Sequence, residues 1–112
     1  MPDYFPSTKE EVSTAYKAAL EADMEKRGLS VYVIPGLANY ICTGQRVGHF
    51  LTALLSNDLK ETFARADDYN ATHIREYMMF LYNDAPGGCW GSVEKFKGWQ
   101  EQGGLEGAFI DA

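Results

Sequence analysis

The stretch "NDAPGGCWGSVEKFKGW", Asn83 to Trp99, decides how the chain is organised. It follows "IREYMMFLYND", whose Ile74, Tyr77, Met78, Met79, Phe80, Leu81 and Tyr82 are apolar almost all round. A helix of that kind lies at the centre of a core or has one face on a partner. Pro86-Gly87-Gly88 cannot carry a helix forward, because proline lacks the amide donor and glycine is entropically costly there. Ser92 then supplies an N-cap hydroxyl and Glu94 a carboxylate in the first turn. Val93, Phe96 and Trp99 recur at helical spacing behind it. The stretch is therefore punctuation between two helices, with Cys89 and Trp90 filling the corner.

Outward from this corner the helical period dominates. Ser7 and Glu10 form a capping box, and Val12, Tyr16, Leu20 and Met24 fall on one stripe of a helix ending at Gly28. "LSVYVIPG" breaks the period with β-formers before Pro35 and reads as a short extended connector. Pro35 suits the first turn of a helix carrying Leu37, Tyr40 and Ile41 and ended by Gly44. Gln45 to Leu55 carries Val47, Phe50, Leu51, Leu54 and Leu55. Asp58 and Glu61 make another capping pattern, predicting a helix with Leu59, Phe63 and Ala66 inward. "ADDYNATH" is the next break, and "GGLEGAFIDA" a loose tail whose Phe109-Ile110 packs back. The expected fold is all-α: one domain over 1–112, about five short-to-medium helices and one extended connector.

Composition narrows function more than it names it. The chain has 112 residues, 46% hydrophobic and 23% charged, ordinary values for a globular domain. A chain this long buries roughly 65% of its unfolded surface and needs no staples. Net charge is −6 and the ten Lys and Arg are scattered, so no basic patch for a nucleic acid backbone exists. The acidity serves solubility or meets a basic partner. No segment has the ~18 apolar residues that span a bilayer, and "MPDYFPSTKEE" has no apolar run of a signal peptide. The expectation is a cytoplasmic protein with no membrane partner, whose Cys42 and Cys89 stay reduced.

Cys89 invites a catalytic reading, because a Gly/Ser-Cys-Trp sequence at a helix start resembles the nucleophile setting of papain-like cysteine proteases. A small hydrolase would pair it with His49 or His73. Both histidines precede the cysteine, the reverse of the papain order, and the chain is too short for a two-walled cleft. Cys42, His49, His73 and Cys89 lack the close ligand pairs of a zinc motif. Glu10-Glu11 and Asp67-Asp68 are adjacent acids on caps, unlike two acids facing each other across a cleft. "GQRVG" and "GGCWG" lack the Lys and Ser/Thr of a phosphate loop, and "DDYNATH" lacks the spaced acids of a calcium loop. No catalytic residue, metal or cofactor is expected.

Aromatic side chains remain. The seven Tyr, six Phe and two Trp exceed what a small helical core must bury, and such residues are enriched at protein interfaces. The candidate partner-binding residues are Tyr69, Tyr77 and Met78 near Asp67, Asp68 and Glu76, together with Tyr4 and Phe5.

"IPGLANYICTG", "GHFLTALLSNDLKETFARADDYN", "FLYNDAPGGCWGS" and the later Trp99 resemble small helical proteins encoded in bacteriophage and prophage genomes. The resemblance spans about 33–104 and leaves 1–30 as an added helix. It implies a non-enzymatic inhibitor in the bacterial host cytoplasm, acting on a host protein complex with a basic surface. A defence system such as CRISPR-Cas, met by an anti-CRISPR protein, is one such target. The alternative is a homodimeric structural or regulatory module joined through "SVYVI" or the Met/aromatic helix.

Overall fold

Helix α1, Lys9–Arg27, buries Leu20 and Met24 one turn apart, while Tyr16 sits half-buried one turn earlier. The computed structural model describes the backbone of residues 9–110 and the side chains of residues 14–107. The capping box at Ser7, the candidate residues Tyr4 and Phe5, and the side chains of Phe109-Ile110 lie outside that range.

Among the described residues there are eight α-helices and one 3-10 turn, with no strand. After α1 come α2 (Ile34–Thr43), α3 (His49–Leu55), α4 (Leu59–Arg65), α5 (Asp68–Thr72) and α6 (Ile74–Asn83). The 3-10 turn Gly87–Cys89 leads into α7 (Val93–Gln102) and α8 (Gly104–Ile110). The chain is all-α as expected, but the count of five is corrected to eight. The break at 66–73 contains α5, whose N-cap Asp67 accepts the Asn70 amide at 2.7 Å. The glycine-rich tail forms α8, which packs on α1, α2 and α7. Tertiary contact here overrides the poor helix propensity of glycine.

The extended connector is also corrected. Ser30 accepts the Val33 and Ile34 amides, so residues 31–33 turn directly into α2. β-Propensity measures fit to a pleated surface, and no strand stands beside these residues to supply one. Pro35 does occupy the first turn of α2, and Gly44 does end it in a left-handed conformation with φ +76°. Ser92 caps α7, accepting the Lys95 amide at 3.1 Å.

One core joins these elements: Met24 from α1, Leu37 and Ile41 from α2, Leu55 from α3, Phe80 and Leu81 from α6, and Cys89 beside α7. Tyr40 lies at its crossing point. Its hydroxyl donates to the Cys89 carbonyl at 2.7 Å and its ring stacks on Phe96 at 5.4 Å. The Trp99 indole N–H is shared between the Tyr40 and Ile41 carbonyls, 3.1 Å from each.

Backbone meets backbone where α2 ends and α8 begins. A Cβ on Gly44 would lie 3.0 Å from the Gly104 nitrogen, and one on Gly104 would lie 2.5 Å from the Gly44 nitrogen. Both residues also have positive φ, so neither space nor conformation admits a side chain.

Unfolding in urea should therefore rank three variants. Trp99→Ala removes a buried indole and should cost about 3–5 kcal/mol. Tyr40→Phe leaves the buried Cys89 carbonyl without its donor and should cost about 1–3 kcal/mol. Trp90 is only half-buried, so Trp90→Ala should cost clearly less than Trp99→Ala. Equal losses for the two tryptophans would contradict this placement.

Candidate interaction surface

The Cys89 thiol is placed for packing and not for attack. It is fully buried in the 3-10 turn, its amide bonded to the Pro86 carbonyl at 3.1 Å. Burial pushes its pKa from the ordinary 9.0 up to about 12, against smaller lowering influences from its own backbone and Lys95. A thiol so shifted is not a thiolate at neutral pH, and the thiolate is the nucleophile. No hydrogen bond joins it to a histidine among the described residues. His73 instead stacks on Tyr69, ring centres 3.8 Å apart, with Nδ1 2.7 Å from the Tyr69 carbonyl. His49 opens α3 at the surface. Among the described residues no three His, Cys, Asp or Glu side chains group so as to hold a metal ion.

The candidate aromatic–acidic cluster divides. Tyr77 is completely buried, and reading it as a surface residue is corrected. Its hydroxyl donates to Asn70 Oδ1 at 2.5 Å and accepts the Ser30 amide at 3.4 Å, tying α6 to α5 and to the turn after α1. Burial raises its pKa to about 12. Tyr69 is 45% exposed and donates its hydroxyl to the Gly28 carbonyl at 2.6 Å. Asp67 caps α5, and Asp68 follows exposed in its first turn. Glu76 lines an open cleft of about 600 Å³ with Asp23, Lys26, Arg27, Arg75, Met79 and Asp84. There Arg27 and Asp84 pair at 2.6 Å. Met78 borders a different hollow of about 100 Å³, shared with Leu54, Asn57, Leu59, Thr62 and Ile74.

That hollow leads to the residues the sequence reading turned the wrong way. Asp58 caps α4 as expected, accepting the Glu61 amide at 3.1 Å. Yet Leu59 is 70% and Phe63 51% exposed, while Thr62 is 3% exposed. The cause is the joint before α4. Asn57 adopts φ +62°, and the Asn57 and Asp58 amides fold back onto the Leu54 and Ala53 carbonyls. This reversal lays α4 along α3 with Thr62 against it. The Thr62 hydroxyl is satisfied by the Asp58 carbonyl at 2.6 Å, so threonine can be buried there. Leu59 and Phe63, one turn apart, are left outward among Asp58, Lys60, Glu61 and Arg65. Hydrophobicity alone pointed inward. The only sequence cue to the contrary is Asn57, a residue that tolerates the left-handed turn.

No family model, no curated protein and no solved structure matches the chain. These comparisons lend no support to the likeness to phage-encoded proteins. No helix among the described residues is long and apolar enough to cross a membrane.

Alkaline pH should expose the buried ionisable groups. Cys89 and Tyr77 hold their protons more tightly when folded, at about 12 against ordinary values of 9.0 and 10.0. Their contribution to stability is complete below about pH 9 and is lost as pH rises toward 12, where the unfolded chain ionises first. Urea midpoints measured between pH 7 and 11 should be flat to about pH 9 and then fall. Iodoacetamide should leave Cys89 unmodified in the native protein and label it in urea. Rapid native labelling would return the thiol to consideration as a nucleophile.

Proposed function

We propose that the chain is a non-enzymatic binding protein that docks a protein partner through the outward face of α4. The observation that carries this reading is the exposure of Leu59 and Phe63 one helical turn apart, 70% and 51%. Apolar anchors at i and i+4 on a short helix match the mode in which a helix enters a groove. Met78 and Ile74 extend the apolar patch across the adjoining hollow. Asp58, Lys60 and the Glu61–Arg65 pair give it a charged rim, with Asp67 and Asp68 following in the chain. An apolar centre with a polar rim is the ordinary anatomy of an interface.

The partner's chemistry follows from charge. A chain of net charge −6 is complementary to a lysine- and arginine-rich surface, which would speed association and select among partners. The likeness to phage-encoded helical proteins names a setting for such a partner: a defence or nucleic-acid-processing complex in the bacterial cytoplasm, inhibited by steric occupation. That setting rests on the sequence likeness alone. Two chains that each carry a net charge of −6 repel one another, so a different, basic partner is preferred to a homodimer.

The test compares wild type with Leu59→Glu/Phe63→Glu in capture from bacterial lysate. Both positions are exposed, so stability should stay within about 1 kcal/mol for the pair. The captured partner should disappear with the double variant and weaken as salt rises. Retention of the same partner by the double variant would remove α4 from the interface. Light scattering showing a wild-type dimer that the variant dissociates would favour self-association instead.

A further inference from the structure

A second surface has the opposite electrostatic character. Between the turn before α2 and the segment leading into α3 runs an open groove of about 340 Å³. Val33, Val47, Phe50 and Leu51 give it apolar walls. Arg46 stands on its lip, exposed and in no ion pair among the described residues. Among the described residues no carboxylate lines it, in a chain with sixteen Asp and Glu. Tyr32, also lining it, is 94% exposed, and no fold requirement holds so large a ring in water.

Two glycines border this groove. Gly36 lies within α2, where glycine weakens a helix relative to alanine. Its φ is not in the left-handed region, and a Cβ built on it would meet nothing within 4 Å. Gly48 is likewise open, with an extended backbone at φ −73° that any residue adopts. Neither backbone geometry nor internal packing therefore asks for glycine at 36. A side chain at 36 would enter open space beside the groove that Gly36 lines.

We propose that this groove binds an acidic peptide segment carrying one large apolar side chain. The apolar anchor would lie between Val47 and Phe50 over Gly36, with Tyr32 closing on it. Arg46 would pair with a carboxylate flanking the anchor, a bond that its planar fork makes well. Charge complementarity selects this occupant: a basic segment would meet Arg46 with no acid among the described lining residues to offset it. The proposal does not rest on the α4 reading, since no residue of α4 lines the groove.

The experiment uses a heptapeptide of glutamates around a central phenylalanine, titrated into 15N-labelled protein. Two controls replace the glutamates by lysines or the phenylalanine by alanine. Binding should saturate, with amide shifts clustered in 32–36 and 46–51, and both controls should shift these groove amides less. Arg46→Glu should weaken affinity about tenfold, the scale of one charge-assisted hydrogen bond. Tyr32→Ala should weaken it without changing the melting temperature. Gly36→Ala is the decisive variant: it should melt no lower than wild type yet bind less well, because the added methyl occupies the groove. Absence of saturation, shifts centred elsewhere, equal shifts of the groove amides by the lysine peptide, or wild-type affinity in both Arg46→Glu and Gly36→Ala would each overturn the proposal.

Discussion

The Tyr40 side chain is the contact on which the rest of the helical packing depends. It is wholly buried, and its hydroxyl donates to a carbonyl in the 3-10 turn before α7. Its ring stacks on α7, and its own carbonyl accepts both the Trp99 indole and the Gly44 amide that ends α2. A phenol at this depth must find an acceptor or leave a polar group stranded in a low-dielectric interior. The corner "GGCWGS" supplies that acceptor. The turn between α6 and α7 is therefore shaped as much by what Tyr40 requires as by its own proline and glycines. The backbone of residue 89 provides the acceptor, and the small cysteine side chain packs fully buried beside it.

Where a local chemical rule decides, the sequence was legible. Asp58 and Ser92 cap their helices through the backbone amide three residues on, a geometry any Asp or Ser at that position can adopt. Pro35 and Gly44 bracket α2 for equally local reasons. Where the neighbour decides, it was not. Val31-Tyr32-Val33 look like a strand, but a strand exists only by pairing. The orientation of α4 depends on one backbone reversal at Asn57, and the neighbours Thr62 and Phe63, about 100° apart around the helix, exchange burial with that orientation. Tyr77 and Tyr69 have the same side chain eight residues apart. Only the packing of α5 against α6 shows that one is core and the other rim.

The same limit governs the candidate surfaces. Amphipathic periodicity identifies residues able to be buried, whereas an interface is made of residues able to be buried that are not. Leu59, Phe63 and Tyr32 become visible only after the core has been filled without them. Gly36 is subtler: its interest lies in neither conformation nor packing, and composition cannot separate it from a glycine that serves a turn.

The meeting of Gly44 with Gly104 has a consequence for how this chain can vary. Because the two backbones touch, α8 has no freedom to slide or rotate against the end of α2. Residues 45–103 thus form a closed circuit whose two ends are pinned at one point. A one-residue insertion in any helix of that circuit would turn everything after it by about 100°, and the pinned joint cannot absorb such a change. Length changes should be confined to the segments between helices, and the two glycines tie α8 to the core.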